Sequence, residues 1–187
     1  NSVSHGKVDI NGNTVKYNGS SSAFYTVLGA EPLPQYCKWE VTIVNAPSSC
    51  LFLGVIANGK PAAKAAYQDK TTYAWYNNCQ YVAGRSQSKS VYFTQTGDVC
   101  TFELNRTKLT MHNSRLNQKY DMTIPDRKDW RLYFSHYSKG SELTYRPISG
   151  FRSTDENDKN DHSSLLPLIC DTKSINDDII KDIKYLI

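Results

Sequence analysis

The side chains that most often carry catalysis or bind metals are scattered along this sequence of 187 residues. An enzyme needs a nucleophile with a base, a carboxylate pair or a metal site. The four histidines fall in no H-x-H, H-E-x-x-H or G-x-S-x-G pattern. Asp155, Asp158 and Asp161 lack the glycine and the distal glutamate of a calcium loop. The sequence therefore predicts no catalytic residues, no metal site and no cofactor.

The cysteines indicate free thiols rather than a disulfide framework or a zinc site. They are odd in number and none stands in a C-x-x-C pair; they are Cys37, Cys50, Cys79, Cys100 and Cys170. Several lie in apolar, strand-like surroundings, where a reduced cysteine behaves as a small core residue. We expect a reducing, cytoplasmic compartment, although sequons at Asn18 and Asn105 leave secretion open.

The charge pattern excludes some partners. The net charge is +4, and residues 151–187 hold five Lys/Arg against eight Asp/Glu, which leaves +7 on residues 1–150. The basic residues of this body are spread among turns without a run or a stacking motif, so a nucleic-acid partner is disfavoured. No apolar run reaches the roughly 18 residues of a membrane span, so membrane insertion is not expected.

Short strands separated by turn residues must position any binding residues. Eleven segments are rich in β-branched or aromatic residues: Lys7–Ile10, Thr14–Tyr17, Lys38–Val44, Cys50–Ala57, Tyr73–Trp75, Ser90–Thr94, Val99–Asn105, Lys108–His112, Tyr120–Ile124, Arg131–His136 and Glu142–Tyr145. Asn-Gly pairs between several of them favour tight hairpins. This pattern predicts an all-β, two-layer antiparallel sandwich, with a single barrel as the alternative.

Two of these segments indicate how the layers are buried. Lys38–Val44 alternates apolar and polar residues, which is typical of a strand with one face in the core. Leu51–Ile56 is apolar on both faces, as expected of a strand in the middle of a stack. We assign Trp39 and Trp130 to the core, because tryptophans in strands are usually buried.

The chain after the body divides into two further segments. Residues 151–164 form an acidic polar linker, and residues 165–187 hold an apolar patch followed by an amphipathic helix from Ser174 to Ile187. Either the patch and helix pack back on the body or on a neighbouring domain, or the helix docks in a groove of another protein.

The order of motifs in residues 3–148 resembles a SPRY domain, in the PRY-SPRY form of tripartite-motif ubiquitin ligases and butyrophilins. The resemblance rests on five segments in the right order: Phe24–Ile43, Leu53–Ala57, Tyr73–Gly84, Gly97–Asn113 and Trp130–Tyr145. The sequence departs from the family's pattern where Gln35 and Cys37 replace the usual Gly and Tyr before Trp39. The family's fold is a bent, concanavalin-like β-sandwich, which we expect for residues 1–150.

What the resemblance implies is a non-catalytic protein-interaction module that binds a peptide or protein surface through loops. Carried over by position, the partner-binding residues are Asn58, Trp75, Tyr76 and Tyr137. His136 is added to them because it stands beside Tyr137 in the expected binding loop, where it could donate a hydrogen bond to a ligand. Ubiquitin-ligase machinery is implied as a partner through a larger parent protein. Two alternatives remain open: Trp75 can instead belong to the core, and the same architecture serves carbohydrate-binding, lectin-like sandwiches.

Overall fold

A computed structural model describes residues 2–5, 7–19, 24–47, 51–59, 66–76, 79–87, 95–150 and 168–170. Fifteen strands and one 3-10 turn (Ala66–Gln68) lie in this part of the chain. The strands are β1 (Ser2–His5), β2 (Val8–Asn11), β3 (Thr14–Tyr17), β4 (Tyr25–Gly29), β5 (Tyr36–Asn45), β6 (Leu51–Ile56), β7 (Thr72–Tyr76), β8 (Cys79–Val82), β9 (Arg85–Gln87), β10 (Val99–Asn105), β11 (Lys108–Asn113), β12 (Gln118–Thr123), β13 (Arg131–His136), β14 (Glu142–Ser149) and β15 (Leu168–Cys170).

The strands form two antiparallel sheets. Sheet A has the order β1-β2-β3-β14-β5-β10-β11-β12, and sheet B has the order β15-β4-β13-β6-β7-β8-β9. The predicted two-layer antiparallel sandwich is therefore confirmed, and the alternative of a single barrel is wrong. In the described residues, no helix is long and apolar enough to cross a bilayer.

Ten of the eleven predicted strands fall within the described residues, and each overlaps an observed strand. The first hairpin has the expected turn, with Gly12 at a φ of 59° between β2 and β3. The strands β1, β4, β8, β9 and β15 were not predicted. They are three to five residues long, and so short a segment shows little periodicity of its own.

Three sequence predictions lie outside the described residues: the strand Ser90–Thr94, the linker 151–164 and the helix Ser174–Ile187. One short piece of the C-terminal apolar patch is described. Its strand β15 pairs with β4 at the edge of sheet B, with Leu168 opposite Gly29 and Cys170 opposite Val27. For these three residues, the pairing agrees with the expectation that the patch packs back on the body.

Stacked aromatic rings form the centre of the inter-sheet core. Trp39 of β5 and Phe102 of β10 lie opposite each other in sheet A, with ring centroids 5.3 Å apart and planes within 4°. Trp75 of sheet B reaches across to Phe102 at 5.9 Å. Trp39 and Trp130 are 0% and 1% exposed, so their assignment to the core is confirmed.

Strand β6 is buried on both faces, as its sequence predicts. Leu51, Leu53 and Val55 face the inter-sheet core. Phe52 and Ile56 face the other way, into a second apolar cluster on the outside of sheet B. Between them, Gly54 lies so close to β7 that a Cβ would sit 2.2 Å from the Tyr73 carbonyl oxygen and 2.6 Å from Ala74 Cα.

We expect Gly54→Ala to lower the free energy of unfolding by about 3 kcal/mol, because the new methyl group meets backbone atoms that cannot move aside. Urea denaturation followed by tryptophan fluorescence measures this. Gly59→Ala is the matched control, since its Cβ meets only the Arg131 side chain, at 3.3 Å. Equal stability of the two variants would contradict the close approach of β6 and β7.

Candidate functional site

The second apolar cluster forms an aromatic surface on the outside of sheet B. Strand β6 contributes a buried ring, and neighbouring strands and loops place half-buried rings around it. The aromatic surface comprises Phe24, Phe52, Tyr67, Tyr76, Tyr81, Tyr133 and Tyr137. Rigid aromatic side chains with one wet edge are common anchors of protein recognition.

Phe52 is the centre of this surface. Its ring stacks on Tyr76 at 4.2 Å and on Tyr67 at 5.2 Å, and it meets Tyr81 edge-on at 4.9 Å. Phe52 is 1% exposed, whereas its three tyrosine neighbours are half-buried. The outer rings are therefore held on a buried ring rather than left to rotate in solvent.

Tyr76 and Tyr137, two of the predicted partner-binding residues, are brought together by Phe24. The Phe24 ring lies 6.0 Å from Tyr76 and 4.8 Å from Tyr137. Both tyrosines are half-buried, with part of each ring open to solvent. Their location on one surface fits the predicted role, which stays a prediction.

Asn58 lies apart from this pair. Phe52 is paired with Tyr76, and Asn58 follows six residues later, which corresponds to about 20 Å along an extended strand. Its amide donates to Asp69 Oδ2 at 2.8 Å, and its backbone N–H donates to Thr71 Oγ1 at 2.9 Å. Although partial burial opposes ionisation, hydrogen bonds from Thr71 and Asn58 lower the pKa of the Asp69 carboxyl. Asn58 thus stabilises a turn at the opposite end of β6.

The expected exposure of Trp75 and His136 is corrected by the structure. Both side chains are 0% exposed, because odd-numbered Trp75 and even-numbered His136 fall on the core-facing side of β7 and β13. Trp75 packs against Phe102 in the inter-sheet core. Neither side chain reaches the surface that a partner would contact.

His136 instead supports the loop that carries Tyr137. Its Nδ1 lies 3.0 Å from Ser141 Oγ. Tyr17 donates its backbone N–H to the Ser141 carbonyl, and Gly140 donates to the Tyr17 carbonyl. Burial lowers the pKa of His136 to about 4, so its imidazole is neutral near pH 7.

The described residues assemble no evident reactive centre. No group of three or more His, Cys, Asp or Glu in this part of the chain could hold a metal ion. Cys37, Cys79 and Cys100 are free. Burial raises the pKa of Cys37 and Cys100 to about 12, so both are neutral thiols rather than nucleophilic thiolates.

Known structures share this architecture. The SPRY domain of human HERC1 superposes with a TM-score of 0.59 at 14% identity, covering 76% of this chain and 92% of that domain. A human SPRY domain gives 0.56 at 14% identity over 74% and 94%, and the PSpry domain of TRIM65 gives 0.55 at 15% over 74% and 82%. The chain has a SPRY-like fold. The predicted resemblance is thus confirmed at the level of the fold, although no family model matches the sequence.

One sequence relative has a different name. Penicillin-binding protein 1A of Clostridium acetobutylicum is 32% identical over 116 residues, which cover 57% of this chain. The match spans 14% of the length of that protein. A segment of comparable sequence is therefore a small part of a much longer chain.

Sequence reasoning missed five members of the aromatic surface of this SPRY-like fold: Phe24, Phe52, Tyr67, Tyr81 and Tyr133. A signal for them was present, because a strand that is apolar on both faces requires a second apolar layer outside the sheet. Tyr81 would follow from strand alternation once β8 is recognised. Tyr67 lies in a 3-10 turn between two strands and has no periodic signal.

We expect the stability of the domain to fall as the pH decreases from about 6.5 to about 4. The unfolded state takes up a proton at His136 near the ordinary pKa of 6.5, whereas the folded state holds it neutral until about pH 4. This difference in pKa between the two states changes the free energy of unfolding by about 3 kcal/mol at most. The folded protein has this stability in full above pH 6.5 and loses it as the pH falls to about 4.

Urea denaturation at several pH values, with His136→Gln as the comparison, measures this effect. Glutamine keeps a hydrogen-bonding group near Ser141 but does not titrate, so the variant should lose stability less steeply between these pH values. Parallel pH profiles for the two proteins would show that His136 is not the group responsible.

Proposed function

We propose that this SPRY-like domain is a non-catalytic module that binds a peptide or protein surface through its aromatic surface. The main support for this proposal is the set of half-buried tyrosines that pack on Phe52. The ring centroids of Phe52 and Tyr76 are 4.2 Å apart. Rings that are already fixed lose little conformational entropy on binding, which favours affinity. The thiols of Cys37 and Cys100 are buried and neutral, so these two cysteines are not suited to act as nucleophiles.

We further propose that the domain acts within a larger protein, as the recognition part of a ubiquitin ligase or adaptor in the cytoplasm. Support comes from the SPRY-like fold and from the free cysteines among the described residues, which suit a reducing compartment. The clostridial relative is named for penicillin binding. That name describes a whole protein about seven times longer than the segment matched by this chain.

A carbohydrate ligand is the second candidate. The same aromatic surface favours it, because half-exposed tyrosine rings such as Tyr67, Tyr76 and Tyr81 can stack on sugar rings and offer hydroxyl groups. A peptide library and a glycan array, screened in parallel with the full chain, discriminate these two ligand classes.

We expect Tyr76→Ala/Tyr137→Ala to weaken binding of a library-selected peptide at least tenfold, since each central aromatic anchor contributes about 2 kcal/mol. Isothermal calorimetry measures the affinity, and thermal melts check folding. The matched control is Tyr120→Ala, a half-buried tyrosine on sheet A, which should bind as the wild type does.

Tyr76→Ala removes a ring that stacks on the buried ring of Phe52, so it could lower stability as well as affinity. A second variant is therefore needed to separate binding from folding. Tyr137 contacts only Phe24 among the described rings, and Tyr137→Ala should therefore remain stable and still lose several-fold in affinity. Unchanged affinity in both folded variants would place binding elsewhere. Selection of glycans rather than peptides, lost in the same variants, would favour the carbohydrate candidate.

A further inference from the structure

The outer face of sheet A carries hollows that the aromatic surface does not include. The first, of about 530 Å³, is lined among others by Lys38, Glu103, Lys119 and Ile148. The second, of about 230 Å³, shares Lys38 and Glu103 with the first and extends to Tyr36. The two hollows therefore adjoin each other over strands β5 and β10.

A third hollow, of about 460 Å³, continues from Tyr36 to the end of the sandwich. It is lined by Tyr36 together with loop residues that include Arg106, Asp126 and Lys128. Because neighbouring hollows share lining residues, the three form one trough from Lys119 on the sheet to Lys128 in the loop before β13. We call this feature the sheet A trough.

Exposed apolar side chains are concentrated in the sheet A trough. Three large hydrophobic residues are exposed in the described part of the chain: Tyr36 at 58%, Val44 at 42% and Ile148 at 38%. Tyr36 and Ile148 both line the trough. These two residues place exposed apolar side chains on a sheet face that is otherwise polar.

The charge of the trough is positive. Its described lining includes five cationic and two anionic side chains: Lys38, Arg106, Lys119, Arg127 and Lys128, with Glu103 and Asp126. Asp129 pairs with Arg127 beside the trough at 2.7 Å, which leaves a net charge of +2.

Some of these cations are already neutralised and others are not. Arg106 pairs with Asp126, and Lys38 lies 4.0 Å from Glu103. Lys119 and Lys128, at the two ends of the trough, have no carboxylate within 4.0 Å among the described residues. Two separated positive charges are thus available to a ligand that spans the trough.

The dimensions suit an extended chain. On β10, Thr101, Glu103 and Asn105 alternate outward along the trough, and Thr101 to Asn105 corresponds to about 13 Å. With the hollow beyond Arg106, the trough accommodates about six residues of an extended peptide. Alternate residues of such a peptide would point to the sheet, where Tyr36 and Ile148 lie.

We propose that the sheet A trough binds an extended acidic peptide that carries apolar side chains. This site lies on the other sheet from the aromatic surface and goes beyond the function proposed for that surface. Acidic side chains would pair with Lys119 and Lys128, and apolar ones would contact Tyr36 and Ile148. A nucleic acid is disfavoured because Tyr36 is the single exposed aromatic ring in the described lining, whereas single-stranded nucleic acids are bound by several rings on which successive bases stack.

Fluorescence anisotropy with a labelled peptide of about six alternating glutamate and leucine residues tests the proposal on the full chain. We expect a Kd below about 100 µM. Lys119→Glu/Lys128→Glu should weaken binding at least tenfold, and Tyr36→Ala about fivefold. Lys70→Glu/Lys139→Glu, the same charge change at exposed sites outside the trough, should retain affinity within about twofold.

Several results would overturn the proposal. They are no binding up to about 1 mM peptide, equal loss in the two charge-reversal variants, or equally tight binding of a lysine–leucine peptide. Tighter binding of an oligouridylate that displaces the peptide would assign the trough to nucleic acid instead. Loss of aromatic-surface binding in Tyr76→Ala/Tyr137→Ala leaves this test unaffected, so the two proposals fail independently.

Discussion

The burial of β6 on both faces is the constraint on which the rest of this sandwich depends. A strand whose six residues are all buried, five of them with apolar side chains, must have one apolar layer between the sheets and another outside sheet B. The first layer contains Trp39, Trp75 and Phe102, and the second is built on Phe52. Gly54 is required between them because β7 approaches closely enough to exclude a Cβ.

The second apolar layer, on the outside of sheet B, is only partly covered. Phe52 and Tyr133 are fully buried and add to the stability of sheet B, whereas the tyrosines around them remain open at one edge. Burial raises the pKa of Tyr133, so its hydroxyl stays protonated beneath these rings. The half-buried rings of this surface are thus held in place by buried ones.

The two outer faces of the sandwich differ in their chemistry. Sheet A is covered by cross-strand ion pairs, such as Lys108–Asp121 at 2.9 Å and Lys16–Glu142 at 3.3 Å. Exposed pairs of this kind contribute little to stability but keep the face hydrated. Sheet B instead presents aromatic rings, so the two outer faces of the sandwich differ in polarity.

The sequence by itself determined the all-β architecture, ten of the strands and the burial of Trp39 and Trp130, because alternation and turn residues are local signals. It could not place Asn58 and Tyr76 at opposite ends of the β6–β7 pair, since that arrangement depends on strand pairing rather than on motif order. Nor could it choose between the two faces for Trp75 and His136. Only the tertiary structure decided these points, because a strand residue becomes core or surface according to which sheet packs against its side.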